Sequence, residues 1–147
     1  WALAYRRYTN KYTDEENLFA QELYKTLLNP DRVIGDQETI QPLVLSQTKG
    51  STDVGDVSWK VPTSGVRIAT WVPGTSSHSW QAVAAGGTSI GTKGSTLAAK
   101  ALANSAVRLF EEPALIKMAW NEHKANIGDH DYQALLGDRE PPLDYRK

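Results

Sequence analysis

The chain has 147 residues, of which 40% are hydrophobic and 22% charged, the size and balance of one soluble globular domain that can bury its own core. It contains no cysteine, which excludes disulfide frameworks, cysteine zinc sites and thiol catalysis and accords with the reducing cytoplasm, where we expect the protein. A net charge of −1 without a basic block argues against a nucleic-acid partner, and no apolar run reaches the roughly 18 residues of a membrane span, so we expect no membrane partner.

The N-terminal part of the sequence predicts one helix. Residues 1–12 are aromatic and basic without a clear period, and we assign them as a lead-in of uncertain structure. The sequence does not begin with methionine, so we expect the native start to lie upstream. Thr13 and Glu16 have the spacing of a capping box, and the apolar stripe that follows predicts a helix ending at Asn29-Pro30. Residues 31–49, which follow this helix, are mostly polar apart from a short apolar segment at 43–45. We predict a loop or a single short strand there.

The middle and C-terminal parts predict a strand, a long loop and two helices. Residues 66–72 alternate in polarity and are rich in β-branched and aromatic side chains, which predicts a strand. The next twenty or so residues are mostly Gly, Ser, Thr and Ala, which predicts a long loop. A loop of that length within a compact domain often carries a functional site. Ser95 is a candidate cap for a helix to about Phe110, Pro113 suits the first turn of another helix, and 129–147 read as a surface tail.

The chain has three histidines and no HExxH spacing. A catalytic zinc ion needs about three protein ligands, so the sequence contains no self-contained zinc site. His123 falls on a predicted helix and His130 lies in the tail, and we expect neither to do metal or acid–base work. His78 comes just after a predicted strand, where loops commonly carry sites, and is a candidate ligand or catalyst.

Two carboxylates form a second candidate group. Asp53 and Asp56 are three residues apart, so both can lie on one face of a helical turn. The alternative is that Ser51 or Thr52 caps a helix and the two carboxylates favour its positive end. The residues alone leave both interpretations open.

Three segments in this order resemble one family of hydrolases: STDVGDVSWKVP at 51–62, PGTSSHSWQ at 73–81 and TSIGTKG at 88–94. With the TDEENLFAQEL helix at 13–23, they resemble the C-terminal part of the aminobenzoyl-glutamate utilisation protein B-like amidohydrolases. That family lies within the aminoacylase/carboxypeptidase superfamily of dinuclear zinc peptidases. The resemblance implies an α/β fold, in which residues 13–128 form the C-terminal portion of a catalytic domain with a mixed sheet flanked by helices.

The resemblance also implies roles for particular residues. His78 matches the last metal ligand of the family, and Asp53 or Asp56 would hold its other ring nitrogen. Trp80 and Gln81 match the family pattern and would face the substrate, Trp80 as a wall for an aromatic amide or only as packing for the loop. The HGCGH-like motif and the Glu-Glu pair with the general base are expected upstream, so this chain supplies no catalytic residue. Thr92 stands where some relatives have histidine, which leaves fine substrate preference open.

The implied activity is that of a metal-dependent amidohydrolase or carboxypeptidase-like enzyme that cleaves an acyl-amino acid amide such as aminobenzoyl-glutamate. Its cofactors would be two divalent metal ions, zinc or else manganese or cobalt, and this chain alone would be inactive. The implied partners are the remaining N-terminal part of the enzyme, a small amide or dipeptide-like substrate, and a second copy in a homodimer. The alternative is a non-catalytic binding or interaction module of the same fold. The presence of the HGCGH-like and Glu-Glu motifs upstream would distinguish the enzyme from such a module.

Overall fold

A computed structural model describes residues 10–42, 50 and 52–144 of the chain as helices joined by irregular segments. In chain order the α-helices are α1 (Asp14–Tyr24), α2 (Val54–Lys60), α3 (Trp80–Gly86), α4 (Ser89–Glu111) and α5 (Pro113–Ile127), with a 3-10 turn at Asp36–Glu38. Most of the predicted lead-in, the apolar piece 43–45 and Ser51 lie outside the described residues.

The expected α/β fold is wrong, because the described residues contain no β-strand. The predicted strand 66–72 is an irregular segment, and no neighbouring strand of the described chain pairs with it. Its backbone carbonyls accept hydrogen bonds from side chains instead: Asn10 Nδ2 donates to the oxygen of Ala69 at 2.7 Å and the Tyr12 hydroxyl to that of Trp71 at 3.4 Å. Burial rises along the segment from the exposed Val66 to the buried Val72, without the residue-by-residue alternation expected of a strand in a half-buried sheet.

The start of α1 was predicted correctly and its end was not. Thr13 caps the helix, accepting from the backbone N–H of Glu16 at 3.2 Å, while the Glu16 carboxylate accepts from the Thr13 N–H at 2.7 Å. The helix ends at Tyr24, before the predicted stop, and the chain then turns through Asn29, which has a φ of 50°. Leu28 is consequently outside the helix and exposed.

With Ser95 as its cap the helix was predicted to start at residue 96, but α4 starts seven residues earlier, at Ser89, so Ser95 lies inside the helix. The hydroxyl of Thr88 accepts from the backbone N–H of Ile90 at 3.2 Å and fixes the first turn. Pro113 occupies the first turn of α5, which confirms that prediction.

The chain divides into two compact units. The first comprises residues 1–46 and 65–108, and the second comprises residues 47–64 and 109–147. The core of the first unit joins α1, the segment before α3, α3 itself and the start of α4. Its buried side chains are Tyr12, Ala20, Leu23, Val72, Ala85 and Ile90.

The second unit is held by exposed and half-buried contacts. The ring of Trp59 lies 4.5 Å from that of His130 and stacks at 6.2 Å on Tyr132. Lys60 Nζ donates to the carbonyl oxygen of Tyr132 at 3.1 Å, and His123 Nε2 lies 2.9 Å from the carbonyl oxygen of Ser58. Helices α2 and α5 bury no residue fully. No helix of the described ranges has both the length and the apolarity needed to cross a bilayer.

Candidate functional site

The loop that carries His78 is fixed at both ends. At its start, Gly74 has a φ of 82° in the left-handed region, and a side chain there would overlap Pro30, so glycine is required for the turn. At its end, Ser79 caps α3: its hydroxyl accepts from the backbone N–H of Ala82 at 3.2 Å and donates to the carbonyl oxygen of Ser76 at 2.6 Å. The backbone on both sides of His78 is thus fixed by local contacts.

His78 projects from this loop into solvent. Its φ of 59° lies in the left-handed region, which non-glycine residues seldom occupy and which is enriched at functional sites. The side chain is exposed, and the described residues form no hydrogen bond with its imidazole. The ring is therefore available to an external ligand.

A shallow depression beside His78 is lined mainly by apolar side chains: Trp71, His78, Ser79, Trp80, Ala82 and Val83. Trp71 was missed as a site residue, because its position in a predicted strand gave no sign that it lies next to the loop. Ser79 was missed as a cap, although a serine ahead of Trp80 at the start of an apolar run is a recognisable helix signal. All of these residues belong to the first unit.

The other predicted site residues have their own contacts. Gln81 Nε2 donates to the carbonyl oxygen and the hydroxyl of Thr26, at 3.2 and 3.3 Å, and so ties α3 to the turn after α1. Asp53 stands at the N-cap position of α2 without a side-chain capping bond. Both Asp53 and Asp56 are exposed residues of the second unit, whereas His78, Trp80 and Gln81 are in the first.

Asp56 has a partner within its own unit. Its Oδ1 accepts a short hydrogen bond from the hydroxyl of Tyr132. That bond is the main reason that the pKa of Tyr132 is raised, with smaller contributions from desolvation and from the charge of Asp56. The carboxylate keeps a second oxygen with which it can accept from another group.

Among the described residues of the first unit, Glu16 is a buried charged residue, 7% exposed. Its carboxylate accepts from Ser89 Oγ at 2.6 Å and pairs with Lys93 Nζ at 2.5 Å, in addition to the capping bond. Burial by itself raises the pKa of Glu16, but these hydrogen bonds outweigh it and lower the pKa to about 2. Burial, and secondly the charge of Glu16, raises the pKa of Tyr12 to about 12. The cluster is fully paired, as expected of a group that joins α1 to α4.

Among residues 10–42, 50 and 52–144, no three His, Asp or Glu side chains are grouped so as to hold a metal ion. His123 bonds the backbone of α2, and His130 packs against Trp59. His78 is the histidine of the described chain whose ring is exposed and without such a contact.

Comparison with known proteins identifies a relative. No family model and no solved structure matches the chain. The chain is similar to a p-aminobenzoyl-glutamate hydrolase subunit of Escherichia coli (strain K12), with 33% identity over an alignment of 153 residues that covers 87% of this chain. It spans 32% of that relative's length. The resemblance predicted from the three segments is thereby confirmed, and the chain is related over most of its own length to a hydrolase subunit.

Proposed function

We propose that this chain forms the C-terminal part of a metal-dependent amidohydrolase that cleaves an acyl-amino acid amide such as p-aminobenzoyl-glutamate. Its contribution to the site is one metal-binding histidine, His78. The observation that carries the proposal is the exposed imidazole of His78, presented by a fixed loop in a chain related to a p-aminobenzoyl-glutamate hydrolase subunit.

The residues present fit one position of a divalent metal site. An exposed, neutral imidazole is a common ligand for zinc, and His78 has no competing hydrogen bond within the described chain. The remaining ligands and the general base would come from residues other than those described, since these contain no group of three ligands. When bound, such ions polarise the amide carbonyl and lower the pKa of a water molecule.

The chain's own residues would orient that ligand. Ser79 and Gly74 fix the backbone on either side of His78, which sets the direction of the ring. The role suggested by the resemblance for Asp53 or Asp56, holding the second ring nitrogen of the metal-binding histidine, stays a prediction.

The proposed partners follow from the same reasoning. The relative is named as a subunit, and this chain spans 32% of it, so we propose that the N-terminal part of the same enzyme completes the site. A second copy, in a homodimer, is the further proposed partner.

Hydrolysis of p-aminobenzoyl-glutamate by the complete protein tests the function. We expect activity that is lost on chelation and restored by zinc, manganese or cobalt, because the metal supplies the Lewis acid. The 147-residue chain alone should show no activity with any of these metals. Turnover that survives exhaustive chelation, or amidase activity of the isolated chain, would contradict the proposal.

A further inference from the structure

Helix α3 turns two large apolar side chains into solvent beside His78. Trp80 is 61% exposed and Val83 is 78% exposed, and their spacing of three residues places them on the same face of the helix. Both line the depression next to His78. Large apolar side chains exposed together at a concave surface are typical of binding sites.

Trp71 gives this depression a fixed floor. It packs against the core of the first unit, and its carbonyl oxygen accepts from the Tyr12 hydroxyl at 3.4 Å. Its indole ring lies close to Gly86 at the end of α3, where a Cβ would come within 3.6 Å of the ring nitrogen. Trp71 is therefore held before any ligand arrives, which reduces the entropy lost on binding.

The chemistry of the lining selects the kind of group that fits. The described residues around the depression are two tryptophans, valine, alanine, serine and the histidine, with no lysine or arginine among them. A glutamate side chain would need a cation or several hydrogen-bond donors to replace its hydration. A flat aryl ring needs instead an aromatic surface on which to stack.

We propose that Trp71, Trp80 and Val83 bind the aryl ring of the substrate's acyl group, with the amide directed toward His78. This inference rests on the proposed function and deepens it, since it assigns the acyl side of the substrate to α3 and the amino acid side to residues beyond the depression. Trp80 is then a specificity-determining residue that favours aromatic over aliphatic acyl groups.

The test compares two amides and one binding equilibrium in the complete protein. Steady-state kinetics with p-aminobenzoyl-glutamate and with acetyl-glutamate give the ratio of the two kcat/KM values. Trp80→Leu should lower that ratio roughly tenfold, because stacking is lost while an apolar side chain remains, and Trp80→Phe should recover most of it. Trp120→Leu makes the same chemical change in the second unit and should leave the ratio unaltered.

Calorimetric titration of the metal-free protein with p-aminobenzoate separates this proposal from the hydrolase assignment. We expect Trp80→Leu to weaken binding several-fold and Trp120→Leu to leave it unchanged. Wild-type protein that hydrolyses neither amide would contradict the proposed function, and the titration would still decide the aryl site. An unchanged ratio with unchanged p-aminobenzoate affinity would overturn the aryl site. A drop in native mass on Trp80→Leu, with the preference retained, would also overturn it and would assign this face to a protein interface.

Discussion

Glu16 shows how one residue can serve two purposes. From its position after Thr13 it was predicted as the return partner of a capping box, and that local role is confirmed. Its burial against Ser89 and Lys93 could not be predicted, because those contacts join positions more than 70 residues apart. Local spacing determines the cap, whereas tertiary packing determines the charge environment.

The lowered pKa of Glu16 predicts acid-sensitive stability. Since the pKa falls from 4.5 to about 2 on folding, the ionised carboxylate stabilises the folded chain above about pH 4.5, and this contribution is lost as the pH falls toward 2. Glu16→Gln should lower the free energy of unfolding at pH 7 by about 1–3 kcal/mol and flatten its decline between pH 5 and 2.

Urea titrations of the free energy of unfolding across this pH range provide the measurement. Glu15→Gln is the matched control, because Glu15 is an exposed residue of the same helical turn and should change stability by only a few tenths of a kcal/mol. Equal acid slopes for the wild type and Glu16→Gln would show that Glu16 does not provide the effect.

At the scale of elements, the helix starts with strong local signals were predicted correctly, whereas the predicted strand was wrong. Thr13 and Pro113 mark helix starts by side-chain and backbone chemistry that acts within one turn. The segment 66–72 has a strand's composition, but a strand also needs a hydrogen-bonded neighbour, which sequence period cannot supply. Asn10 and Tyr12 provide side-chain donors in place of that neighbour.

The early start of α4 was also missed because it depends on tertiary packing that the local sequence does not show. Glycine is a poor helix former, and the stretch rich in Gly, Ser, Thr and Ala that contains Gly91 and Gly94 predicted a loop before Ser95. Both are buried within α4, and a Cβ on Gly94 would overlap the carbonyl oxygen of Ala69. The glycines are needed for close packing rather than for backbone freedom.

Gly94→Ala should therefore destabilise the first unit, even though alanine favours helix in isolation. We expect a loss of about 1–3 kcal/mol, because the backbone of residue 69 must shift to admit the methyl group. Gly55→Ala in α2 is the control: open space surrounds that position, and the change should be neutral or stabilise by up to about 1 kcal/mol. Thermal unfolding monitored by circular dichroism measures both, and a neutral Gly94→Ala would refute the packing explanation.

At the scale of the whole molecule, much apolar surface is exposed along the two C-terminal helices. Phe110 is 86% exposed and Met118 is 65% exposed, with Leu102 and Val107 more than half exposed. Monomeric proteins seldom leave so many large apolar side chains in water. The sequence predicted apolar stripes on these helices, but only the structure shows that the described residues do not cover them.

This exposure predicts that the 147-residue chain alone associates and binds hydrophobic dyes. Sedimentation velocity should show a mass that rises with concentration, and Phe110→Ser should reduce both association and dye fluorescence. Leu135→Ser provides the control, because Leu135 is an exposed residue in a turn beyond α5 and so belongs to neither of the two helices. A chain that remained monomeric and bound no dye would show that the apolar surface of these helices is stable in water without a partner.

The site itself was predictable only in part. His78, its loop and its neighbour Trp80 could be found from the segment 73–81 and its resemblance to a known family. The contribution of Trp71 and the left-handed backbone of His78 depend on how the chain packs.

The metal content of the complete protein after His78→Ala tests the central claim most directly. Losing a ligand removes both affinity and geometry, so we expect roughly one metal ion fewer per chain by mass spectrometry and a fall in amide hydrolysis beyond the roughly 10–100-fold typical of changes around a ligand. His130→Ala, a change to another exposed histidine, should keep its metal and its turnover. Full metal occupancy with near-normal hydrolysis in His78→Ala would contradict the account and favour a non-catalytic binding module.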